Sequence, residues 1–261
     1  MPLNQSAEAA ISKKIDLLDY DFGRFAVRSI LAGVYLTIGT AFAGVAAQAV
    51  DKHAEGLGSL VFAFLFGLGL FSIVILNADL ATGNMMYGVY GAVTRQISWG
   101  KALKFILVTT LFNLIGALLF AFLMGQAAKF ADMDPTHFIP NLTDGKMQKG
   151  PLGLLIEATL ANFVVNMAIV GAVFAKDIGS KFWTIVPIIA MFVGLGLEHV
   201  IANFSLVSLT LFASSPLPEH VDALHILTNW VFVWIGNLIG GGFLIGGVYA
   251  WLNRGRESYR D

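Results

Sequence analysis

The chain contains no cysteine, which excludes disulfide frameworks, thiolate zinc sites, iron–sulfur clusters and thiol nucleophiles together. Charge is also scarce: 16 Lys and Arg with 17 Asp and Glu make up 13% of 261 residues, about half the ~25% share of a soluble domain. The charges nearly cancel, to −1, so a basic nucleic-acid surface is excluded and no nucleic-acid partner is expected. Catalytic signatures are missing too. There is no Gly-Lys-Ser/Thr P-loop and no dinucleotide Gly-x-Gly-x-x-Gly; Glu198-His199 lacks the second His of a metalloprotease helix, and Gly-Leu-Gly-Leu-Glu is not the Gly-x-Gly-Asp of aspartyl intramembrane proteases. The chain therefore reads as a non-enzyme with no metal and no cofactor.

What is abundant is apolar. Hydrophobic residues make up 57%, with 28 Gly, 21 Phe and five Trp, and mean hydropathy is +0.75. Six apolar stretches, Arg28–Val50, Gly58–Leu80, Leu103–Phe130, Leu152–Ala175, Phe182–Ala213 and Thr228–Leu252, each reach the ~20 residues needed to cross a bilayer. This predicts an all-α membrane protein of six transmembrane helices, with a transmembrane domain over 28–252. Ahead of it, residues 1–27 carry no short apolar core with a small-residue cleavage site, so no removable signal peptide is expected. Ile11, Ile15 and Leu18 there fall at helical spacing against Ser12, Lys13 and Asp16, the pattern of an amphipathic helix on the membrane surface. Placing residues 1–27 and the tail 253–261 in the cytoplasm puts twelve of the sixteen basic residues on that side, which the positive-inside rule favours.

Short segments recur in order. Leu31-Ala32 returns as Leu160-Ala161, Gly67-Leu68-Gly69-Leu70 as Gly194-Leu195-Gly196-Leu197, and Asn113-Leu114-Ile115-Gly116 as Asn237-Leu238-Ile239-Gly240. The matches divide the chain into repeats over about 28–131 and 152–252. Three spans per repeat is an odd number, so the repeats must be inverted in the bilayer, and the polar path then lies at discontinuous helices in corresponding positions. The second and fifth stretches qualify. One carries Asn77, Asp79, Thr82, Gly83 and Asn84, the other Glu198, His199, Asn203 and Ser205. A charge at mid-bilayer costs about 2.5–3.5 kcal/mol even on the insertion scale, so these groups are expected to face protein or a water-filled cavity.

His199 is the sole histidine inside an apolar stretch, and histidine is the side chain poised to exchange protons near neutral pH. Set in a helix break facing Thr82, it reads as part of a proton-handling path rather than an interhelical bond. Glu198, Asp79, Asn84 and Asn203 read mainly as residues that hold the breaks by accepting or donating to nearby backbone and side chains. Asn113 and Asn237 read as interhelical hydrogen-bond glue. Asn162 and Asn166 share a helix face, and the longest loop offers Lys146 and Lys149 as cations for a mouth; spacing does not choose between the two.

Taken together, Asn77-Ala78-Asp79-Leu80-Ala81-Thr82-Gly83-Asn84, Phe112-Asn113-Leu114-Ile115-Gly116-Ala117, Ala161-Asn162 and Glu198-His199-Val200-Ile201-Ala202-Asn203 resemble the formate/nitrite transporter family, over about residues 10–252. The resemblance implies a homopentamer of aquaporin-like protomers with broken second and fifth helices. Each would sit in the cell (inner) membrane with both termini cytoplasmic, and would pass formate or another small monovalent anion. It implies a central His199 facing Thr82, Lys146 with Asn162 at the outer vestibule, and Glu198 before the His. It also implies apolar constrictions at Phe66, Val165 and Phe192 on one side and Leu70 and Leu80 on the other. Ala81 stands where the family usually has Phe, which implies a looser inner constriction and entry of acetate or lactate. Nitrite and hydrosulfide remain alternative substrates, and a proton-independent anion conductor the alternative mechanism. A water channel is disfavoured by the lack of paired Asn-Pro-Ala motifs, and a sensor by the lack of an attached soluble domain.

Overall fold

A computed structural model describes residues 3–131 and 133–253. Of the tail expected at 253–261, all but Asn253 lies outside the described residues. The first element, α1 (Leu3–Tyr20), buries Leu3, Ala7, Ile11 and Leu18 on one face, the three-to-four spacing by which a helix lays a single stripe on a surface. Asp21 then accepts from the Arg24 N–H at 3.2 Å and caps α2 (Phe22–Asp51), followed by α3 (Leu57–Ile75) and α4 (Ala81–Val93). Ser98 caps α5 (Trp99–Gly125). A ten-residue helix, α6 (Phe138–Met147), precedes α7 (Pro151–Phe174). The chain continues as α8 (Ile178–Gly194), α9 (Val200–Ala213) and α10 (Ala223–Asn237), which runs through a π-helical segment, Leu238–Gly247, into α11 (Val248–Leu252).

Among the described residues, five helical segments are long and apolar enough to cross a membrane: α2, α3, α5, α7 and the continuous Ala223–Leu252 run. The fifth apolar stretch of the sequence is divided instead into α8 and α9, each too short to qualify. The second stretch, which hydropathy closes at Leu80, is followed by a further helix, α4. Thr82, Gly83, Asn84, Gly88 and Gly91 dilute its hydropathy, yet Ala81 to Met86 are all buried. Protein, not lipid, surrounds this helix, so it needs no apolar exterior. Lys146, assigned by sequence to a loop, lies in the last turn of α6.

Each of the two interruptions contains a residue with positive φ, Asn77 at 59° and Gly196 at 69°. Asn and Gly are the residues that tolerate this left-handed geometry. At each break one asparagine bonds freed backbone and ties it to a neighbouring helix. Asn113 on α5 accepts from the Ala81 N–H at 2.8 Å and donates to the carbonyls of Ser29 and Asp79 at 2.7 and 2.9 Å. Asn237 at the end of α10 accepts from the Val200 N–H at 2.8 Å and donates to the carbonyls of Ala158 and Glu198 at 2.8 and 3.0 Å.

These brackets require close helix approach. A Cβ on Gly116 would strike the Ile30 carbonyl oxygen, and one on Gly240 the Thr159 carbonyl oxygen, so α5 and the π-helical segment reach α2 and α7 backbone to backbone. The main buried cluster includes Leu36, Phe66, Leu70, Val165, Ile189 and Phe192 and surrounds the two breaks. Outside, Leu60, Phe64, Leu111, Leu119, Leu152, Trp183 and Leu227 are exposed. That apolar exterior is far larger than a soluble monomer carries, and the molecule is a membrane protein.

Candidate permeation site

The centre of the site is built from two helix starts. Thr82 occupies the first turn of α4, and His199 is the N-cap of α9, in extended conformation, its Nδ1 accepting from the Ala202 N–H at 3.1 Å. Thr82 Oγ1 and His199 Nε2 lie 2.8 Å apart, and both residues are buried. Since Nδ1 is used as an acceptor, a neutral ring carries its proton on Nε2 and donates it to the Thr82 hydroxyl. The contact also brings together the positive ends of two half-helices, where backbone N–H groups favour a negative charge.

The Thr82 carbonyl is held from the other side. It accepts from Asn162 Nδ2 and Asn166 Nδ2, each at 3.2 Å, and Asn162 Nδ2 also reaches the Asn237 carbonyl at 2.8 Å. Asn162 therefore braces Thr82 from α7. Asn166 was readable as its helix-face partner. Gly241 lies against both amides, where any Cβ would collide.

Around His199 is a void of about 10 Å³ lined by Leu36, Phe66, Leu70, Leu80, Val165, Ile189 and Phe192, close to the least volume that holds one water. His199 is the one polar side chain among its walls. On one side a vestibule of about 510 Å³ is shared by Phe62, Phe138, Lys146 and Lys149 and reaches Phe66, Phe192 and His199. A second vestibule, of about 350 Å³, is lined by Lys14, Ile73, Asn84, Tyr87 and Lys181 and reaches Leu80. Phe66 and Ile73 stand seven residues apart on α3, about 10 Å along a helix axis, so the two vestibules lie on opposite sides of the throat. Leu70 and Val165 line only the void between them. Ala81 is buried and lines none of the three spaces; its N–H is fixed by Asn113.

Each break also presents a buried carboxylate to two cations. Asp79 pairs with Lys14 and, at 3.0 Å, with Arg28, while Asn84 Oδ1 accepts from Lys14 at 2.9 Å. Glu198 pairs with Lys146 at 2.9 Å and Lys149 at 2.7 Å, and its other oxygen accepts from Asn203 Nδ2 at 2.6 Å. Asn203 Nδ2 in turn reaches Asn229 Oδ1 at 2.7 Å. Lys149 lies in the connection between α6 and α7. Burial works against its charge, but the Glu198 and Glu157 carboxylates hold its ammonium above the usual lysine range.

Sequence reasoning did not reach Lys14, Arg28 or Asn229. The available signal for Lys14 was its place on the polar face of an amphipathic helix, a face ordinarily left to water.

A helical membrane protein with two interrupted segments meeting at Thr82 and His199, between two lysine-bearing vestibules, belongs to the class of channels and transporters. The sequence profile described as formate/nitrite transporter matches residues 3–251, and the chain belongs to that family, whose members are channels and transporters rather than enzymes. It is similar to the formate channel FocA of Escherichia coli (strain K12), 32% identical over 247 residues, covering 88% of this chain and 86% of that protein. Among solved structures, an FNT family ion channel superposes with a TM-score of 0.86 at 24% identity, over 95% of this chain and 97% of that one. A structure described as a pentameric formate channel with formate bound gives 0.71 at 22% identity, over 94% and 98%.

Proposed function

We propose that the protein conducts small monovalent weak-acid anions, formate foremost, and that proton exchange at His199 assists their passage. The observation that carries this reading is the solitary polar wall of the throat: His199, bonded to Thr82, in a void otherwise lined by Leu, Ile, Val and Phe. A bare carboxylate there loses its hydration with little to replace it, at a cost of several kcal/mol. A neutral acid does not. In this reading the ring takes a proton from vestibule water and holds it as imidazolium while the anion lies alongside. It then transfers the proton to the carboxylate, and formic acid crosses the throat and ionises again beyond it.

Charging the ring requires Nδ1 to release the Ala202 N–H, so proton uptake is coupled to the first turn of α9. That same cap supports the second reading, in which His199 stays neutral, donates a hydrogen bond through Thr82, and the anion crosses without a proton. Nitrite, hydrosulfide, acetate and lactate share the charge and the acid–base chemistry and are the alternative substrates; Ala81, which borders neither the throat nor a vestibule, does not separate them.

The architecture we infer is a protomer of six spans, α3 with α4 and α8 with α9 forming the broken second and fifth. The two halves are inverted repeats, supported by the matched Asn113 and Asn237 brackets and by the two carboxylate–cation pairs. Five protomers assembling through their apolar exteriors, as in the pentameric formate channel of similar fold, and a cell (inner) membrane placement with both termini cytoplasmic complete the reading. Lys146 then faces outward and Lys14 inward. Initial uptake rates of formate, nitrite, hydrosulfide, acetate and lactate into proteoliposomes test the substrate assignment. Formate is expected to enter fastest; rates equal to those of empty liposomes for all five, from a folded oligomer, overturn it.

A further inference from the structure

The outer vestibule holds two lysines on one carboxylate oxygen, and their hydrogen-bond accounts differ. An ammonium has three N–H donors. Lys149 uses all three, on Glu157 Oε2 at 2.5 Å, Glu198 Oε1 at 2.7 Å and the Gly196 carbonyl at 2.9 Å. Lys146 uses two, on Glu198 Oε1 at 2.9 Å and the Leu197 carbonyl at 3.2 Å, while its side chain, 12% exposed, borders the same vestibule. We infer that Lys149 is a positioning residue: it shares Glu198 with Lys146, so that Lys146 keeps its remaining donor for the entering anion and the cluster of Glu157, Glu198, Lys146 and Lys149 is neutral rather than net negative.

Without Lys149, Glu198 has Lys146 as its one cationic partner and Glu157 has lost its own, so the vestibule cluster becomes net negative and repels an anion. With Lys149 present, and Glu157 anchoring it from α7, Lys146 keeps its field over a vestibule walled by Phe62, Phe66, Phe138 and Phe192, where low-dielectric walls strengthen that field. Lys149 also ties α7, through Glu157, to the break between α8 and α9, through Gly196 and Glu198. A purely structural tether and an electrostatic one therefore make opposite predictions when Glu157 is neutralised.

The inference rests on the reading of this vestibule as an anion entrance, and the test separates the two. Concentration-dependent formate uptake is measured in proteoliposomes for wild type, Lys149→Gln, Lys149→Arg and Glu157→Gln, each confirmed as a folded oligomer by size-exclusion chromatography. Lys149→Gln is expected to raise KM by about three- to tenfold with little change in maximal rate, Lys149→Arg to keep the wild-type KM, and Glu157→Gln to lower KM. An unchanged KM in Lys149→Gln, or a raised KM in Glu157→Gln, overturns the proposal, and the second variant decides the matter if the first does not assemble. Independently of transport, mass spectrometry after partial labelling with an amine-reactive ester reads the state of Lys146. Labelling is expected to slow several-fold in Lys149→Gln, where Glu198 binds Lys146 alone, and to hold its rate in Lys149→Arg; equal rates in wild type and Lys149→Gln overturn the proposal. If wild-type protein takes up no formate, the functional reading fails while the labelling comparison still decides the role of Lys149.

Discussion

At the scale of single residues, the two bracketing asparagines carry the most structure per atom. Each satisfies one backbone N–H and one carbonyl at a helix break and donates as well to a carbonyl of a neighbouring helix, Ser29 in α2 or Ala158 in α7, and both are fully buried. Replacing either by Ala strands the N–H and the carbonyl of its break at a cost of about 1–3 kcal/mol apiece. Asn113→Ala and Asn237→Ala are therefore each expected to lower the melting temperature of the detergent-solubilised protein by several degrees or prevent its recovery; a wild-type melting curve for either contradicts the bracket. His199 has a comparable double duty as cap and ring. His199→Asn keeps an N-cap acceptor and is expected to fold, whereas His199→Leu loses about 1 kcal/mol at the start of α9, measurable as the difference between the two melting curves. His199 and Thr82 were legible because a polar residue in an apolar run is conspicuous. Lys14 and Arg28 were not, because a cation near a helix end normally faces water or lipid headgroups. Only the folded chain shows both turned onto Asp79.

Among the elements, α1 and α6 behave alike: each is a helix outside the long spans whose lysine reaches a buried carboxylate in a break. Lys14 and the bond from Gln96 to the Glu8 carbonyl at 2.9 Å attach α1 to the rest. Asp79→Ala removes the shared partner of Lys14 and Arg28 and is expected to speed tryptic cleavage at Lys13 and Lys14. An unaltered cleavage rate means that the apolar face, the Gln96–Glu8 bond and the Lys101–Asp19 ion pair hold α1 without Lys14. The paired close approaches at Gly116 and Gly240 admit no side chain, so Gly116→Val and Gly240→Val are expected to abolish recovery of folded protein. The apolar stretches and the break in the fifth were readable from hydropathy and the Gly-Leu-Gly-Leu pattern. Helix α4 was not, because small and polar residues buried on all sides imitate a loop in any hydropathy window. The wide turns of the π-helical segment likewise have no local signal beyond its glycines.

Viewed as a whole molecule, the pathway is more regular in its frame than in its chemistry. Asn77 corresponds to Gly196, Asp79 to Glu198 and Asn84 to Asn203 in the order of the two breaks, but Leu80 stands where the other break has His199. One half thus supplies an apolar wall residue and a hydroxyl, the other an imidazole ring, and the contact of 2.8 Å between Thr82 and His199 joins them. The order of recurring fragments along the chain pointed to corresponding breaks; the different hydrogen bonds of Lys146 and Lys149 needed the three-dimensional structure.

Formate flux into proteoliposomes under imposed pH gradients, with His199→Asn beside wild type, addresses proton-assisted passage directly. Uptake that rises with an inward proton gradient in wild type and becomes indifferent to it in folded His199→Asn is the predicted result. Wild-type flux that follows membrane potential alone, unaltered by the proton gradient, contradicts proton exchange at His199 and leaves a plain anion conductor.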